Sequence, residues 1–164
     1  MSSNAPTPAA SSGSASSARP QPAPRDAFRR FVPITTRWMD NDVYGHVNNV
    51  VYYSFFDTAV NRYLIEHGAL DIEHGETIGL VVHTQCHYFA PLAFPQAIEA
   101  GIAVTDLGRS SVRYRVGLFA QGEELSAAQG EFVHVYVDRA ERRPVPLPEA
   151  LRAALQPLQR SLPI

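Results

Sequence analysis

The chain has 164 residues and a formal net charge of −2 at pH 7, a length that fits one globular domain. Hydrophobic residues make up 45% of the sequence, which is typical of a chain with a packed core. Because no basic field is available to hold a polyphosphate backbone, we do not expect nucleic acid as a partner. All 14 basic residues are arginine, which excludes mechanisms that need a lysine nucleophile, a lysine base or a phosphate-binding lysine.

Cysteine content and hydropathy indicate where the protein works. Cys86 is the only cysteine, so no internal disulfide can form and a reducing compartment, the cytoplasm, is expected. Its place in the apolar run of residues 81–89 favours a buried structural thiol over a nucleophile. No apolar stretch reaches the ~20 residues that a membrane-spanning helix needs, so we expect no membrane partner.

Residues 1–26 differ in composition from the rest of the chain. They are mainly Ser, Ala and Pro, with two arginines and a single acid. Such a segment cannot bury enough apolar surface to offset the entropy of ordering, so we expect a disordered tail. The alternative is an organelle transit peptide, but five prolines between Pro6 and Pro24 disfavour the amphipathic helix that such peptides form. The folded domain is predicted to occupy residues 27–164.

The first part of the domain is predicted to form a strand, a loop and a helix. These elements span Phe31–Trp38, Met39–Asn49 and Val51–His67. The helix is indicated by large apolar residues that recur at steps of three and four from Tyr52 to Leu64. Asn48 or Asn49 is the expected N-cap, and Gly68 is a typical residue just beyond a helix C-terminus.

Four segments rich in β-branched and aromatic residues follow the helix and are predicted as strands. Their bounds are Thr77–Phe89, Ala97–Asp106, Ser110–Ala120 and Ser126–Asp138. Short turns between them favour antiparallel neighbours in a meander, and a short helix is expected at Pro148–Leu158. Only the helix Val51–His67 is long and apolar enough to cover the sheet. The predicted fold class is therefore α+β, a long central helix wrapped by a curved antiparallel sheet, with subunits that self-associate.

The loop before the helix is the segment most informative about chemistry. It carries two carboxylates, an imidazole and two amides, contributed by Asp40, Asp42, His46, Asn48 and Asn49. The first N–H groups of a helix lack intrahelical acceptors, so they can stabilise a carbonyl oxygen that gains negative charge. An adjacent carboxylate can attack that carbonyl or deprotonate a water molecule. The alternative is that these residues only form turns and caps, as their types favour in any loop.

The sequence of residues 40–49, with the aromatic residues that follow it, resembles the signature of the 4-hydroxybenzoyl-CoA thioesterase family of hot-dog proteins. It is most similar to the bacterial acyl-CoA thioesterases whose signature is Asp-x-Asp-x-x-Gly-His-Val-Asn-Asn. The resemblance extends over roughly residues 31–155. It implies a hot-dog fold and hydrolysis of an acyl-CoA or acyl-carrier-protein thioester to a free acid and a thiol. It also implies a site at the interface of a homodimer or homotetramer, with no cofactor.

The resemblance implies roles for individual residues. Asp42 corresponds to the catalytic carboxylate of the family, and amides at the helix entry polarise the thioester carbonyl. The candidate catalytic residues are Asp42, His46 and Asn49. The candidate substrate-binding residues are Asn48, Val50, Tyr52, Phe56, Arg109, Ser110 and Ser111. Within this set, the aromatic side chains are expected to contact the acyl chain and the last three residues the CoA phosphates.

Two other functions compete with thioester hydrolysis, and no metal site is expected. A hot-dog module that binds acyl-CoA without hydrolysing it fits the same sequence. An enoyl-CoA hydratase of this fold would carry a different motif, which is not found. No metal is expected, because His83 and His87 lie four residues apart on a strand rather than on a helix and have no third ligand nearby.

Overall fold

The computed structural model describes residues 19–160. The strands are β1 (Arg30–Ile34), β2 (Thr77–Tyr88), β3 (Ile98–Leu107), β4 (Ser111–Ala120) and β5 (Ala128–Asp138). The helices are α1 (Val51–Glu66) and α2 (Glu149–Leu155). Short 3₁₀ turns lie at Arg25–Ala27, Trp38–Asp40 and Gln156–Leu158. Within this part of the chain, no helix is both long and apolar enough to cross a membrane.

The five strands form one antiparallel sheet in the order β1-β3-β4-β5-β2. The predicted strands are confirmed, although β1 ends at Ile34 and not at Trp38. β3, β4 and β5 form a meander as predicted, but the predicted place of β2 in it is wrong, because β2 pairs with β5 instead of β3. Three strand spacings, roughly 14 Å, separate β2 from β3. The nine residues 89–97 that join them can span about 30 Å when extended, so this connection does not require the two strands to be neighbours.

Helix α1 spans 16 residues and ends within one residue of its predicted C-terminus. Its buried side chains are Tyr52, Phe55, Phe56, Ala59, Val60, Tyr63 and Leu64. The predicted asparagine N-cap is wrong, because Val50 occupies that position and no side chain caps the helix there. Asn48 instead accepts a hydrogen bond from the Val50 N–H through Oδ1 at 3.2 Å. The asparagine therefore stabilises the turn that leads into the helix.

Alternation along the strands gives the sheet an inner face and an outer face. On the inner face, Tyr114 and Phe132 belong to the main core together with the buried side of α1. Gly130 lies directly under Phe56, where any added side chain would collide with the ring. The outer face carries a smaller apolar cluster that includes Phe28 and Phe119. The helix is thereby seated against the middle of the sheet, with its N-terminus near one end.

The described part of the N-terminal segment differs from the expected disordered tail. Ala23 is buried and exchanges two hydrogen bonds with Ser126, each 2.9 Å long. Phe28 then packs on the outer face over Gly101 and Gly117, whose missing side chains leave room for the ring. Composition alone does not predict this packing, because Phe28 lies outside the Ser-, Ala- and Pro-rich residues 1–26. Residues 1–18 of the predicted tail lie outside the described residues.

Candidate active site

The loop that precedes α1 is a tight reversal of the chain. Asn41 and Val47 form an isolated antiparallel bridge. The Asp42 N–H donates to the His46 carbonyl at 2.8 Å, and the Gly45 N–H donates to the Asp42 carbonyl at 3.1 Å. Gly45 has a φ of +79°, a left-handed conformation that glycine adopts without steric cost. These bonds fix the backbone position from which the Asp42 side chain projects.

The two aspartates of the loop have different environments. Asp40 is completely buried, and its carboxylate accepts bonds from the Arg37 N–H at 2.7 Å and the Arg37 guanidinium at 2.8 Å. This pairing raises the pKa of Arg37. Asp42 is half-buried, and its Oδ1 accepts the Tyr44 N–H at 2.8 Å. No described residue bonds to the other carboxylate oxygen of Asp42, so Asp40 is structural and Asp42 can meet a ligand.

Asp42 opens onto a cleft of about 370 Å³ at the N-terminal end of α1. Three other predicted site residues line the same cleft, namely His46, Asn49 and Tyr52. The opposite wall is the end of β2 and the residues after it, from Tyr88 to Pro91. The structure therefore brings the carboxylate, the imidazole and one amide side chain of the motif together at one open cavity.

Only one of the three predicted helix-entry amides is available to a ligand. The Asn48 N–H donates to the Asp40 carbonyl at 2.8 Å, and the Val50 N–H is taken by the Asn48 side chain. The Asn49 N–H has no acceptor among the described residues, and Asn49 itself is exposed. The contiguous motif does not distinguish these amides, because the tertiary fold decides which of them is already bonded.

Tyr88 is the cleft residue that sequence reasoning missed. Its hydroxyl donates to the Asn49 carbonyl at 3.1 Å, and its ring meets that of Tyr52 edge to face at 4.9 Å. Burial raises the pKa of both hydroxyls, so both stay protonated at neutral pH. The only sequence signal was its place at the end of an apolar strand, just before the turn that starts at Pro91.

Cys86, on the same face of β2 as Tyr88, keeps its structural interpretation. The side chain is half-buried, and burial raises the pKa of the thiol to about 11. A thiol with this pKa is protonated at neutral pH and is a poor nucleophile. The carboxylate of Asp42 is therefore the stronger candidate for attack on a substrate.

The remaining predicted substrate residues lie away from this cleft in the single chain. Phe56 is in the core over Gly130 and borders a separate cavity with Val81 and Thr84 of β2. The predicted phosphate contacts form the turn at the other end of the sheet and are Arg109, Ser110 and Ser111. Along β5, that turn pairs near Val135 whereas the cleft is near Ala128. These positions are about 23 Å apart along the strand.

The histidines of β2 also lie outside the cleft. His83 and His87 pair with Val133 and Gln129 of β5, on the outer face of the sheet, whereas Asp42 opens toward the inner face. Among residues 19–160, no group of three or more His, Cys, Asp or Glu side chains is placed to hold a metal ion.

Comparisons with known proteins identify the family. The chain is 57% identical to the PA5185 protein from Pseudomonas aeruginosa (87% of this chain, 100% of that one, TM-score 0.85). A thioesterase from Thermus thermophilus, complexed with coenzyme A and Zn, is 34% identical, and the match covers 81% of this chain and 96% of that one with a TM-score of 0.67. The fold is shared with a 1,4-dihydroxy-2-naphthoyl-CoA thioesterase from Synechocystis, which is 18% identical. That match covers 76% of this chain and 93% of the other, with a TM-score of 0.70. No curated protein matches the chain. Residues 36–155 match the thioesterase-like superfamily, and the chain belongs to that family, with its hot-dog fold.

Proposed function

We propose that this protein hydrolyses an acyl-CoA or acyl-carrier-protein thioester to a free acid and a thiol. The observation that carries the proposal is the half-buried Asp42 carboxylate, which lines an open cleft with one oxygen not bonded by the described residues. Membership of the thioesterase-like superfamily supports the reaction class. The coenzyme A bound to the Thermus relative supports CoA as the thiol.

Asp42 acts on the thioester carbonyl in one of two ways. As a nucleophile, its carboxylate forms a C–O bond to the carbonyl carbon while the C–S bond breaks, and water then cleaves the resulting anhydride. As a general base, it takes a proton from water, and the hydroxide adds to the carbonyl carbon before the thiolate leaves. In both routes the thiolate finally takes up a proton, and one water molecule is consumed.

The N–H of Asn49 is the donor for the carbonyl oxygen in either route. It lies at the entrance of α1, where the helix dipole favours negative charge, and it has no acceptor among the described residues. The Tyr88 hydroxyl bonds to the carbonyl of the same residue at 3.1 Å, which holds this peptide in position. His46 is exposed beside Asp42 and orients the carboxylate or the attacking water.

The working unit is proposed to be a homodimer, or a homotetramer built from two dimers. β2 is an edge strand, and its exposed residues include Leu80, Val81 and Val82. An exposed apolar edge strand favours pairing with another strand. Arg109 and its neighbours lie about 23 Å from the cleft of their own chain by the strand spacing above, and in the proposed dimer the turn of the second copy contacts the CoA phosphates.

Substitution of Val82 by Lys tests the dimer. This residue is 61% exposed on the edge strand, and a lysine there opposes edge-to-edge pairing. We expect the molar mass from light scattering to fall to that of one chain, with thioesterase activity reduced at least about tenfold. Leu125→Lys, at a 55% exposed residue away from β2, is the matched control and should change neither. A wild-type protein of single-chain mass that is fully active would contradict the dimer.

A thiol-release assay tests the reaction and separates it from the binding-only alternative. The protein is mixed with short, medium, long and aromatic acyl-CoAs in the presence of a thiol reagent. With at least one acyl group, we expect one thiol to be released for each thioester hydrolysed, and each site to complete many turnovers. Saturable binding of an acyl-CoA, measured by calorimetry, without thiol release from any of them would instead support a non-catalytic acyl-CoA-binding module.

A further inference from the structure

Another cavity lies between the C-terminal half of α1 and the first residues of β2, and it has a volume of about 380 Å³. We call it the His134 cavity. Its walls include apolar Leu64 and Leu70, while His134 and Tyr136 of β5 line it from the inner face of the sheet. The cavity shares no residue with the Asp42 cleft of the same chain.

His134 is a buried polar group without a partner. It is only 4% exposed, and its Nε2 is fully buried with no hydrogen bond in the described structure. The rings of Tyr114 and Phe132 surround it at 5.2 and 4.8 Å. Burial lowers the pKa of His134 to about 4, so the imidazole is neutral at pH 7. Leaving such a group unpaired costs folding free energy. The other ring nitrogen, Nδ1, lies toward Gly79 of the cavity lining and is the atom to which a ligand in the cavity can hydrogen-bond.

Glycine at position 79 keeps the cavity open beside this histidine. A Cβ at Gly79 would lie 3.1 Å from His134 Nδ1 and 3.0 Å from Tyr136 Cε1, tighter than ordinary contact. Tyr136 also contributes its hydroxyl, which is 2.8 Å from the hydroxyl of Tyr114. The cavity therefore combines apolar walls with an uncharged hydrogen-bonding end.

Antiparallel pairing of two β2 strands brings this cavity to the Asp42 cleft of the other chain. Symmetry alone leaves the register open, and we take the register in which the two β2 strands overlap along their full length. Thr77 then lies opposite Tyr88 of the partner subunit, about 5 Å away across the strands. A twofold axis perpendicular to the sheet keeps both inner faces on the same side. Gly79, at the mouth of the cavity, is then next to the strand end that forms one wall of the cleft.

We infer that the His134 cavity of one subunit binds the far end of the acyl group whose thioester lies at Asp42 of the partner subunit, and that it selects acyl chains carrying a hydroxyl group at that end. This inference rests on the proposed function and on the β2 pairing. The hydroxyl hydrogen-bonds to the neutral imidazole of His134, while the methylene groups of the chain contact Leu64 and Leu70.

The charges around the cavity favour a hydroxyl over a carboxylate or a plain alkyl end. Arg139 lines the cavity, but its Nε and Nη2 already donate to the carbonyls of Gly75 and Ile72 at 2.6 and 2.9 Å. A carboxylate placed at His134 would be desolvated beside a neutral ring and two tyrosines, which is costly. An alkyl end would leave the imidazole unpaired, and sites built to bond a hydroxyl discriminate against analogues that lack it.

Matched substrates test the inference on the intact protein. kcat/KM is measured for acyl-CoAs, ω-hydroxyacyl-CoAs and ω-carboxyacyl-CoAs of increasing chain length. At the length that reaches the cavity, we expect the hydroxyl-bearing substrate to be preferred by about tenfold, the factor that one net hydrogen bond provides. His134→Phe keeps the aromatic packing and removes both nitrogens, so the preference should fall to about one. His74→Phe, at an exposed loop residue, should retain it.

Each outcome decides a separate point. Equal rates for alkyl and hydroxyl chains in the wild type, or a preference that persists in His134→Phe, would overturn the inference while leaving thioester hydrolysis intact. A preference for the carboxylate-bearing chain would also overturn it and would indicate Arg139 as the recognising group. If no substrate of any class is hydrolysed, the proposed function itself fails. If His134→Phe does not fold, Gly79→Ala supplies the comparison, because its Cβ would lie 3.1 Å from His134 Nδ1 and block access to it; the preference should again fall to about one.

Discussion

Replacing Asp42 by Asn should lower kcat by about 10³-fold, because general-base and nucleophilic carboxylates typically contribute factors of this order. The amide keeps the shape of the carboxylate and an oxygen that can still accept the Tyr44 N–H at 2.8 Å. The loop geometry, and with it the thermal midpoint, should therefore change little. Steady-state thiol release with the best acyl-CoA, together with a thermal melt, measures both quantities.

Asp71→Asn is the matched control for this variant. Asp71 also accepts the N–H of the residue two positions further along, Glu73, through Oδ1 at 3.0 Å. It is exposed, however, and does not line the Asp42 cleft. Asp71→Asn removes the same charge from the same kind of turn, but it does so outside the cleft. Its kcat should therefore equal that of the wild type. Equal turnover by Asp42→Asn and the wild type would remove Asp42 from the mechanism and leave it only a turn residue.

The local elements could be predicted from the sequence, but the order of the strands could not. The three- and four-residue spacing from Tyr52 to Leu64 is a property of one continuous segment, and α1 follows it closely. The position of β2 next to β5 depends on pairs of residues that are far apart in sequence, such as Tyr88 and Ala128. A nine-residue connection is compatible with either partner for β2, so the sequence pattern leaves the choice open.

The candidate site shows the same division between local and long-range information. Asp42, His46 and Asn49 are close in sequence, and one loop is enough to bring them to one cleft. Tyr88 reaches that cleft only through the register of β2 against β5. His134 joins its cavity in the same way, and nothing in the local sequence distinguishes it from a surface histidine. Residues placed by strand register are therefore those that motif reasoning misses.

His134 should make the folded protein less stable as the pH falls below neutrality. Burial lowers the pKa of this imidazole from 6.5 to about 4 in the folded chain. Between these pH values the unfolded chain binds a proton that the folded chain does not, so the free energy of unfolding decreases as the pH falls. The difference amounts to about 3 kcal/mol between pH 7 and pH 4. About one pH unit above 6.5 both states become neutral at this residue, and it then contributes no slope.

Comparison with His134→Phe isolates this contribution from every other titrating group. The groups next to the imidazole are the guanidinium of Arg139 and the hydroxyls of Tyr114 and Tyr136, which stay protonated throughout this range because burial raises their pKa values. Urea denaturation of both proteins at steps between pH 7 and pH 4 should show wild-type stability falling relative to the variant by about 3 kcal/mol. Parallel curves would mean that the ring takes up its proton in the folded state, and that it is not the neutral hydrogen-bonding group that selectivity for a hydroxyl requires.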